Sequence, residues 1–367
     1  MMKRVPYVNL SAQWMSEGQE LLPLIEEVLS SGAYVGGESI ESFESAVARY
    51  CGTRFAVALN SGTDALVCAL HALGIGKGDE VVTAPNSFIA SAAAIIHVGA
   101  TPVFVDVKSD QNLNPNLIEA ALTHKTRAIM PIHLTGRTAD MDAINDIAAR
   151  KNLHVIEDAA QAIGSKWHGQ MSGSMGTIGC FSAHPLKNLN ACGDAGFITT
   201  DDEKVATTIA RMRNHGMVER NSVEEFGMVS RMDSLQSTIL GFRLSRLPTV
   251  IEARRKHAAL YARLLNPDRV YVPPEKEGEF NTYHTFVVQV DGRDELRHEL
   301  FAKGIETAVH YPVPIHLQPA GQRLAYRVGD FPETEKQAGR ILTLPINQYL
   351  DDADIRYVAE SVNTLLA

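Results

Sequence analysis

Residues 54–107 read RFAVALNSGTDALVCALHALGIGKGDEVVTAPNSFIASAAAIIHVGATPVFVDV. Short apolar runs lie in this stretch at 54–60, 79–86 and 101–107, and segments with helical spacing separate them. Apolar runs of this length, bounded by turn residues, are typical of buried strands, and the segments between them are long enough for helices. The alternation predicts an α/β fold with a mostly parallel sheet and helices on both of its faces.

The alternation continues toward residue 200, with further strands predicted at 127–134, 153–161, 177–184 and 194–200. In open sheets of this kind, ligands bind at the carboxyl ends of the strands. Polar residues that follow these strands are therefore the first candidates for a functional site.

The pattern changes near residue 235. Residues 234–265 predict a long helical stretch that is bent at Pro248, and a smaller α+β unit follows it. The sequence therefore predicts a large α/β domain at 1–245 and a small C-terminal α+β domain at 246–367. In the second unit we expect strands at 283–290 and 305–311 and helices at 294–304, 331–342 and 352–366.

Length, charge and cysteine content exclude several classes of protein. A chain of 367 residues suits two domains, and a net charge of −9 argues against a nucleic-acid partner. No apolar run approaches the ~18 residues of a membrane span, and the N-terminus lacks the pattern of a signal peptide. The four cysteines form no CxxC pair, which favours reduced thiols in a cytoplasmic protein.

The first candidate motif is NSGTDAL at 60–66, where a strand ends and a helix begins. Free backbone N–H groups and the helix dipole make such a helix start an anion site, to which Ser61 and Thr63 would add hydroxyl groups. A plain helix cap explains the motif equally well, and for the motif alone it is the commoner explanation.

Two further motifs follow strands. In Asn86-Ser87-Phe88, the aromatic ring of Phe88 could stack on a planar ligand, or it could simply belong to the core. Asp158 ends an apolar strand, and Gln161 follows it three residues later. A buried carboxylate needs a partner, and a protonated heterocyclic nitrogen would be one. A helix cap or a metal ligand are the alternatives, but no cluster with metal-binding spacing accompanies Asp158, so we expect no metal.

The fourth motif is CFSAHPLKNLNACGDAGF at 180–197, in which Ser182 and Lys187 lie between two predicted strands. The alternative is that Lys187 is one of many solvated surface lysines. Together the four motifs describe one ligand, pyridoxal 5′-phosphate (PLP). A helix start holds its phosphate, an aspartate keeps its ring nitrogen protonated, an aromatic ring covers it, and a lysine with a lowered pKa binds its aldehyde and moves protons.

At this point the chain resembles the DegT/DnrJ/EryC1/StrS family of sugar aminotransferases, which have fold type I of the PLP-dependent enzymes, as aspartate aminotransferase does. The motifs NSGTDAL, EDAAQAIGS, CFSAHPLKNL with GDAG, and SRMDSLQ carry the resemblance, which extends from GGESIESFE at 36–44 to VHYPVPIHLQPA at 309–320. It implies a mixed, mostly parallel seven-stranded sheet in the large domain. It also implies that Lys187 forms the Schiff base and that the other cofactor-binding residues are Ser61, Gly62, Thr63, Phe88, Asp158, Gln161 and Ser182.

The resemblance implies a function as well. Family members transfer an amino group, usually from glutamate, to a keto group of a nucleotide-linked deoxysugar, and the cofactor passes through its pyridoxamine 5′-phosphate form. They are homodimers with the active site at the subunit interface, and their aminosugars enter lipopolysaccharide, capsule or antibiotics. PLKNL and VHYPVPIHLQPA are more similar to relatives that act on 3-keto than on 4-keto sugars. The alternatives are a non-nucleotide keto sugar or cyclitol, or a PLP-binding regulator without turnover.

Some positions depart from the family pattern. Val229 stands where many relatives have an asparagine that reaches the neighbouring subunit's phosphate, so we expect Ser230 or Arg231 to compensate or the phosphate to be held differently. Asn190 and Ala195 replace glycines, and we expect them to narrow the pocket. Lys187 itself separates the chain from sugar dehydratases, which have histidine at this position. The substrate contacts that we predict are His184, Arg231, His310 and Tyr311.

Overall fold

The computed structural model describes residues 3–367. The helices of this part of the chain are α1 (Leu10–Ser31), α2 (Glu38–Cys51), α3 (Gly62–Ala72), α4 (Ala90–His97), α5 (Ile118–Ala121), α6 (Met141–Lys151), α7 (Glu203–Met212), α8 (Ser234–Leu264), α9 (Arg293–Ala302), α10 (Pro332–Ala338) and α11 (Asp352–Leu365). The strands are β1 (Phe55–Leu59), β2 (Glu80–Thr83), β3 (Thr101–Phe104), β4 (Thr126–Ile129), β5 (His154–Asp158), β6 (Lys166–Trp167), β7 (Gln170–Met171), β8 (Ile178–Ser182), β9 (Gly196–Thr200), β10 (Met217–Glu219), β11 (Ser222–Val223), β12 (Glu279–Phe280), β13 (Phe286–Gln289) and β14 (Ile341–Leu344).

The central sheet has seven strands in the order β1-β9-β8-β5-β4-β2-β3. The β2–β3, β2–β4, β4–β5 and β5–β8 pairs are parallel, whereas β9 is antiparallel to both β1 and β8. The predicted α/β fold with a mostly parallel sheet is therefore confirmed. The crossovers bring the carboxyl ends of β1, β2, β5 and β8 to one edge of the sheet.

Successive side chains in a strand point to opposite faces of the sheet, and apolar side chains on both faces pack into hydrophobic clusters. In β9, Phe197 packs with Phe181 and Leu240 on one face, and Ile198 packs with Leu70 on the other. The phenylalanine rings of Phe181 and Phe197 stack with centroids 4.7 Å apart. Strands buried on both faces explain why the sequence shows continuous apolar runs there rather than an alternation.

A separate hydrophobic cluster forms around the antiparallel pair β13–β14 and the helices α9 and α11. It includes Tyr261 near the end of α8, and also Val5 from the N-terminal segment. The predicted boundary at residue 245 falls inside α8, which runs through Pro248 as one helix. The division into domains at that residue stays a prediction.

In the C-terminal part, one predicted strand is wrong and one predicted helix is too long. Residues 305–311 form isolated bridges, Val5 with Ile305 and Ala308 with Thr343, rather than a continuous strand. The helix predicted at 331–342 ends at Ala338, and Ile341 already belongs to β14. Apolar residues near a helix end have the same spacing as those of a buried strand, so the pattern alone could not separate the two.

None of the helices within residues 3–367 combines the length and the apolar character that crossing a membrane requires.

Candidate active site

A cavity of about 430 Å³ lies at the carboxyl ends of the parallel strands. Every site residue that the sequence predicted lines this cavity, with the exception of Arg231. These residues come from segments far apart in the chain, and the sheet brings several of them together because β1, β5 and β8 all end at the same edge. The lining residues among the predictions are Ser61, Gly62, Thr63, Phe88, Asp158, Gln161, Ser182, His184, Lys187, His310 and Tyr311.

The start of α3 presents backbone N–H groups to the cavity. Ser61 is the N-cap, and its Oγ accepts a hydrogen bond from the backbone N–H of Asp64 at 3.1 Å. The N–H groups of Gly62 and Thr63, in the first turn, have no partner within the helix. A Cβ atom added to Gly62 would lie 2.6 Å from the Cβ of Ser182, so the two segments touch there. The turn is thus a serine N-cap that leaves two backbone donors available to a ligand.

Asp158 is buried in the cavity wall at the end of β5. Its Oδ2 accepts a hydrogen bond from Ser91 Oγ at 2.7 Å, and its Oδ1 accepts one from the backbone N–H of Ala160 at 3.2 Å. Burial raises the pKa of this carboxyl group, and the two hydrogen bonds and the charge of Lys187 oppose that rise. Since a carboxylate can accept about four hydrogen bonds, Asp158 retains acceptor capacity for a ligand.

Gln161 presents its amide N–H groups to the cavity. Its Oε1 accepts a hydrogen bond from the backbone N–H of Thr135 at 2.8 Å, and its Nε2 donates to the hydroxyl of Tyr311 at 3.3 Å. The bond from Thr135 determines which end of the amide is free to act as a donor. Gln161 can therefore donate to an acceptor oxygen of a ligand.

Lys187 lies in the loop between β8 and β9, and its side chain is half-buried in the cavity wall. Burial lowers the pKa of its amine to about 8, and the negative charge of Asp158 opposes this shift. An amine with such a pKa can accept a proton and return it near neutral pH. A lysine on a solvated surface loop, the alternative that the sequence left open, would not be enclosed in this way.

His310 and Tyr311 follow α9 in the chain and line the cavity. His310 Nδ1 shares a hydrogen bond with Thr343 Oγ1 at 2.9 Å, and its ring stacks on Tyr7 with centroids 6.0 Å apart. Burial, and to a lesser extent the charge of Lys187, lower the pKa of His310 to about 4, so the imidazole is neutral at pH 7. The ring of Tyr311 contacts Phe88 at a centroid distance of 5.8 Å.

Several lining residues were not predicted from the sequence. Ser91 had a local signal, because it is a polar residue within an apolar run close to Phe88. Asp194 lies in the GDAG segment that the motif analysis quoted. Four more come from distant segments with no recognisable motif: Tyr7, Arg254, His284 and Asn347.

Arg231 lies outside the cavity, and its Nη1 donates to Asn214 Oδ1 at 2.9 Å. The neighbouring residue Val229 is about half exposed. Ser230 is fully buried, and its hydroxyl donates to Asn60 Oδ1 at 3.2 Å. Ser230 therefore has no exposed atom with which to compensate for Val229 at a subunit interface.

Asn190 and Ala195 do not line the cavity, so the prediction that they narrow it is wrong. Ala195 packs in a hydrophobic cluster with Phe181. The side chain of Asn190 points toward α1 instead, where its amide pairs with that of Gln13. Within residues 3–367, no group of three or more histidine, cysteine or acidic side chains is arranged to hold a metal ion.

The fold and the site together define a PLP-dependent aminotransferase. The chain belongs to the DegT/DnrJ/EryC1/StrS aminotransferase family, whose sequence profile matches residues 15–363. The fold is therefore fold type I, and the cofactor is PLP, as the resemblance implied.

Relatives with known names are similar over almost their whole length. The chain is 41% identical to a pleiotropic regulatory protein of Geobacillus stearothermophilus, over 98% of this chain and 97% of that protein. It is 40% identical to a dTDP-3-amino-3,4,6-trideoxy-alpha-D-glucose transaminase of Streptomyces venezuelae, over 98% of this chain and 95% of the relative. The crystal structure of DesV from S. venezuelae, solved in complex with a ketimine intermediate, matches with a TM-score of 0.97 and 40% identity, over 99% of this chain and 98% of that one.

Proposed function

We propose that this protein transfers an amino group from glutamate to a keto sugar in aminosugar biosynthesis, and that the sugar is a nucleotide-linked 3-keto-deoxysugar. The observation that carries the proposal is the meeting of Lys187, Asp158 and the start of α3 in one cavity. The names of relatives support the position of the keto group, since a dTDP-3-amino-sugar transaminase and a UDP-N-acetyl-3-dehydro-alpha-D-glucosamine aminotransferase are 40% and 38% identical to this chain.

The residues of the cavity fit PLP. The free N–H groups of Gly62 and Thr63, with the hydroxyls of Ser61 and Ser182, would hold the phosphate. Asp158 has unused acceptor capacity and a raised pKa, and a protonated ring nitrogen would supply the positive charge that stabilises its ionised form. Gln161 would donate a hydrogen bond to the oxygen of the ring hydroxyl, and Phe88 would cover one face of the ring.

Bound PLP supplies an aldehyde for the amine of Lys187 and an electron-accepting ring. The protein's own task is proton transfer. Lys187 Nζ would remove the proton from the α-carbon of glutamate and later deliver a proton to the carbon of the sugar that becomes aminated. A pKa of about 8 suits both roles, because the amine exchanges protons readily near neutral pH. Since one site serves both substrates, 2-oxoglutarate leaves before the keto sugar enters, which gives ping-pong kinetics.

The cavity also favours an anionic donor. Arg254 is only 8% exposed, and its guanidinium donates to the uncharged carbonyls of Tyr283 and His284 and to the side-chain amide of Gln348. Burial lowers the pKa of Arg254 to about 10, which leaves it charged at pH 7. Its positive charge in the cavity wall would attract the carboxylates of glutamate. His184, His310 and Tyr311 would contact the sugar.

The assembly and the location follow as further parts of the proposal. We infer a homodimer with the active site at its interface, because α1 exposes large apolar side chains, including Trp14, Met15 and Leu22. Arg231 could then reach the partner's cavity rather than its own. The four cysteines are free thiols, which is consistent with a cytoplasmic protein.

Spectroscopy and product analysis test the function. Purified protein reconstituted with PLP should absorb in the visible range, lose that absorbance on addition of glutamate, and recover it when the correct keto sugar is added. The enzyme is then incubated with each member of a panel of nucleotide-linked 3-keto and 4-keto sugars. Mass spectrometry of these reactions should identify one aminated product. Lys187→Ala should abolish both the visible absorbance and turnover, and full activity of that variant would refute the mechanism.

A regulator that binds PLP without turnover is the second candidate, because a relative at 41% identity is named a pleiotropic regulatory protein. A non-nucleotide keto sugar or cyclitol is the remaining alternative for the substrate. The spectral change with glutamate distinguishes a regulator from an enzyme, since a regulator without turnover would leave the absorbance constant and release no 2-oxoglutarate. Free keto sugars and keto-cyclitols, included in the same panel, show whether the substrate lacks a nucleotide.

A further inference from the structure

The loop that carries Lys187 is closed by hydrogen bonds that lie away from the cavity. At the base of the loop, the backbone N–H of Ala191 donates to the carbonyl of Ala183 at 2.7 Å. Across the loop, Nδ2 of Asn190 donates to the carbonyl of Pro185 at 2.8 Å. The chain on either side of Lys187 is thus joined through the side chain of Asn190.

The amide of Asn190 also forms a reciprocal pair with Gln13 of α1. Gln13 Nε2 donates to Asn190 Oδ1 at 2.9 Å, and Asn190 Nδ2 donates to Gln13 Oε1 at 2.9 Å. Both side chains are more than nine-tenths buried, at 7% and 5% exposure. Buried amides that satisfy each other specify one arrangement, because any displacement leaves polar groups without partners.

A buried ion pair holds the same region from a third element. Arg243 of α8 pairs with Glu17 of α1, with Nε 3.0 Å from Oε1. Its Nη1 donates to the backbone carbonyl of Asn190 at 2.7 Å. Gln13 and Glu17 are four residues apart and share one face of α1. The backbone and the side chain of Asn190 are therefore both anchored to helices.

We propose that the Gln13–Asn190 amide pair positions Lys187 for proton transfer. This inference rests on the proposed function, in which Lys187 moves the protons. Asn190 does not line the cavity, so it acts through the loop and not on the substrates. Because a displacement of about 1 Å in a reacting group can cost up to about 100-fold in rate, loosening the loop lowers kcat while the walls that bind substrate stay intact.

Hydrogen exchange of the protein without cofactor tests the tether itself. In Asn190→Ala, the amides of residues 183–191 should exchange about tenfold faster than in the wild type, because a buried hydrogen-bonded pair is lost. Gln13→Ala is the second variant, since it keeps the bond from Asn190 to Pro185 and should show a smaller increase. Unchanged exchange in both variants would overturn the proposal.

Kinetics and spectra of the reconstituted enzyme test the consequence for Lys187. Asn190→Ala should lower kcat by about tenfold or more with KM for both substrates within about threefold, and should shift the pH midpoint of the visible absorbance of the Lys187-bound cofactor. The double variant Gln13→Ala/Asn190→Ala should be no slower than Asn190→Ala, because the two residues act as one unit. A loss confined to KM, or additive effects, would contradict a positioning role.

Arg246→Ala is the matched control, because it removes an ion pair with Glu20 that also joins α8 to α1 but is exposed. This variant should leave unchanged the hydrogen exchange of residues 183–191, kcat and the pH midpoint of the visible absorbance. Borohydride reduction of the wild type separates this inference from the function on which it rests. If no cofactor is trapped at Lys187, the proposed function fails, whereas the exchange data still report whether the amide pair holds the loop.

Discussion

Ser91 donates a hydrogen bond from its Oγ to Oδ2 of Asp158 at 2.7 Å, from the first turn of α4 to the end of β5. Burial raises the pKa of Asp158, and this bond is the largest of the interactions that oppose the rise. The serine thus favours the ionised carboxylate, which is the form that a protonated ring nitrogen requires.

Ser91→Ala should weaken the affinity for PLP. Loss of a hydrogen bond to a charged group costs about 1.5 to 3 kcal/mol, or roughly a tenfold to hundredfold higher Kd. The sign of the pH effect follows from Asp158. The substitution raises the pKa of Asp158 further, so on acidification the variant loses affinity for PLP at a higher pH than the wild type does. Fluorescence titration with PLP between pH 5 and 8 measures both quantities. Ser174→Ala removes a hydroxyl that bonds only to the Met171 carbonyl and should match the wild type.

Gly62→Ala should disrupt the proposed phosphate site at the start of α3. The added Cβ would lie 2.6 Å from the Cβ of Ser182 and 3.0 Å from its Cα, so the start of α3 and the end of β8 must move apart. We expect the Kd for PLP to rise by about tenfold or more, since the backbone donors no longer converge. Gly241→Ala is the control, because its Cβ would meet nothing within 4 Å and should stabilise α8 slightly. Equal PLP affinity in the two variants would contradict the proposed phosphate site.

Lys187→Met should stabilise the cofactor-free protein at pH 7. The pKa of Lys187 is about 8 in the folded protein and ordinarily 10.5, so below pH 8 folding carries the full penalty of enclosing a charged amine. This penalty falls as the pH rises from 8 to 10.5, because the amine is already neutral in the folded state there and the unfolded state progressively loses the same proton. We expect a gain of about 1 to 3 kcal/mol at pH 7, the lower value allowing for solvent screening of a half-buried group.

Urea denaturation at pH 7 and pH 10.5 measures this gain, which should be much smaller at the higher pH. Lys204→Met, at an exposed lysine, should change stability little at either pH. A gain that does not depend on pH would show that packing of methionine, rather than the charge of the amine, is responsible.

Met15→Glu should dissociate the proposed homodimer. Met15 is 84% exposed on α1, beside Trp14, which is 49% exposed, and a charge in the centre of a dry interface is costly to desolvate. Analytical ultracentrifugation should report a dimer for the wild type and a monomer, or a dimer weakened at least tenfold, for the variant. Leu117→Glu changes an exposed leucine far from α1 in the sequence and should remain dimeric. A monomeric wild-type protein would remove this part of the proposal.

Much of the site could be predicted from the sequence because its motifs are local. Asp158 ends an apolar strand, Ser61 precedes a helical pattern, and Lys187 lies between two strands, so each signal is contained in a few residues. Because most strands of an α/β sheet run parallel, their carboxyl ends lie at the same edge and such residues meet there. Asn190 shows the limit of this reasoning: its replacement of a glycine suggested a narrower pocket, but its side chain points to α1.

The sequence by itself determined the α/β class, the cofactor and the residues at the strand ends, because alternating apolar runs and short motifs record local conformation and chemistry. Only the tertiary structure decided which distant groups complete the site: Ser91 on Asp158, Thr135 on Gln161, and Tyr7 and Arg254 in the cavity wall. The physical reason is that hydrogen bonds and burial depend on distances in space, and residues that belong to different elements of the chain carry no periodic signal of their contact. The same holds for the lowered pKa of Lys187, which arises from enclosure by the whole fold.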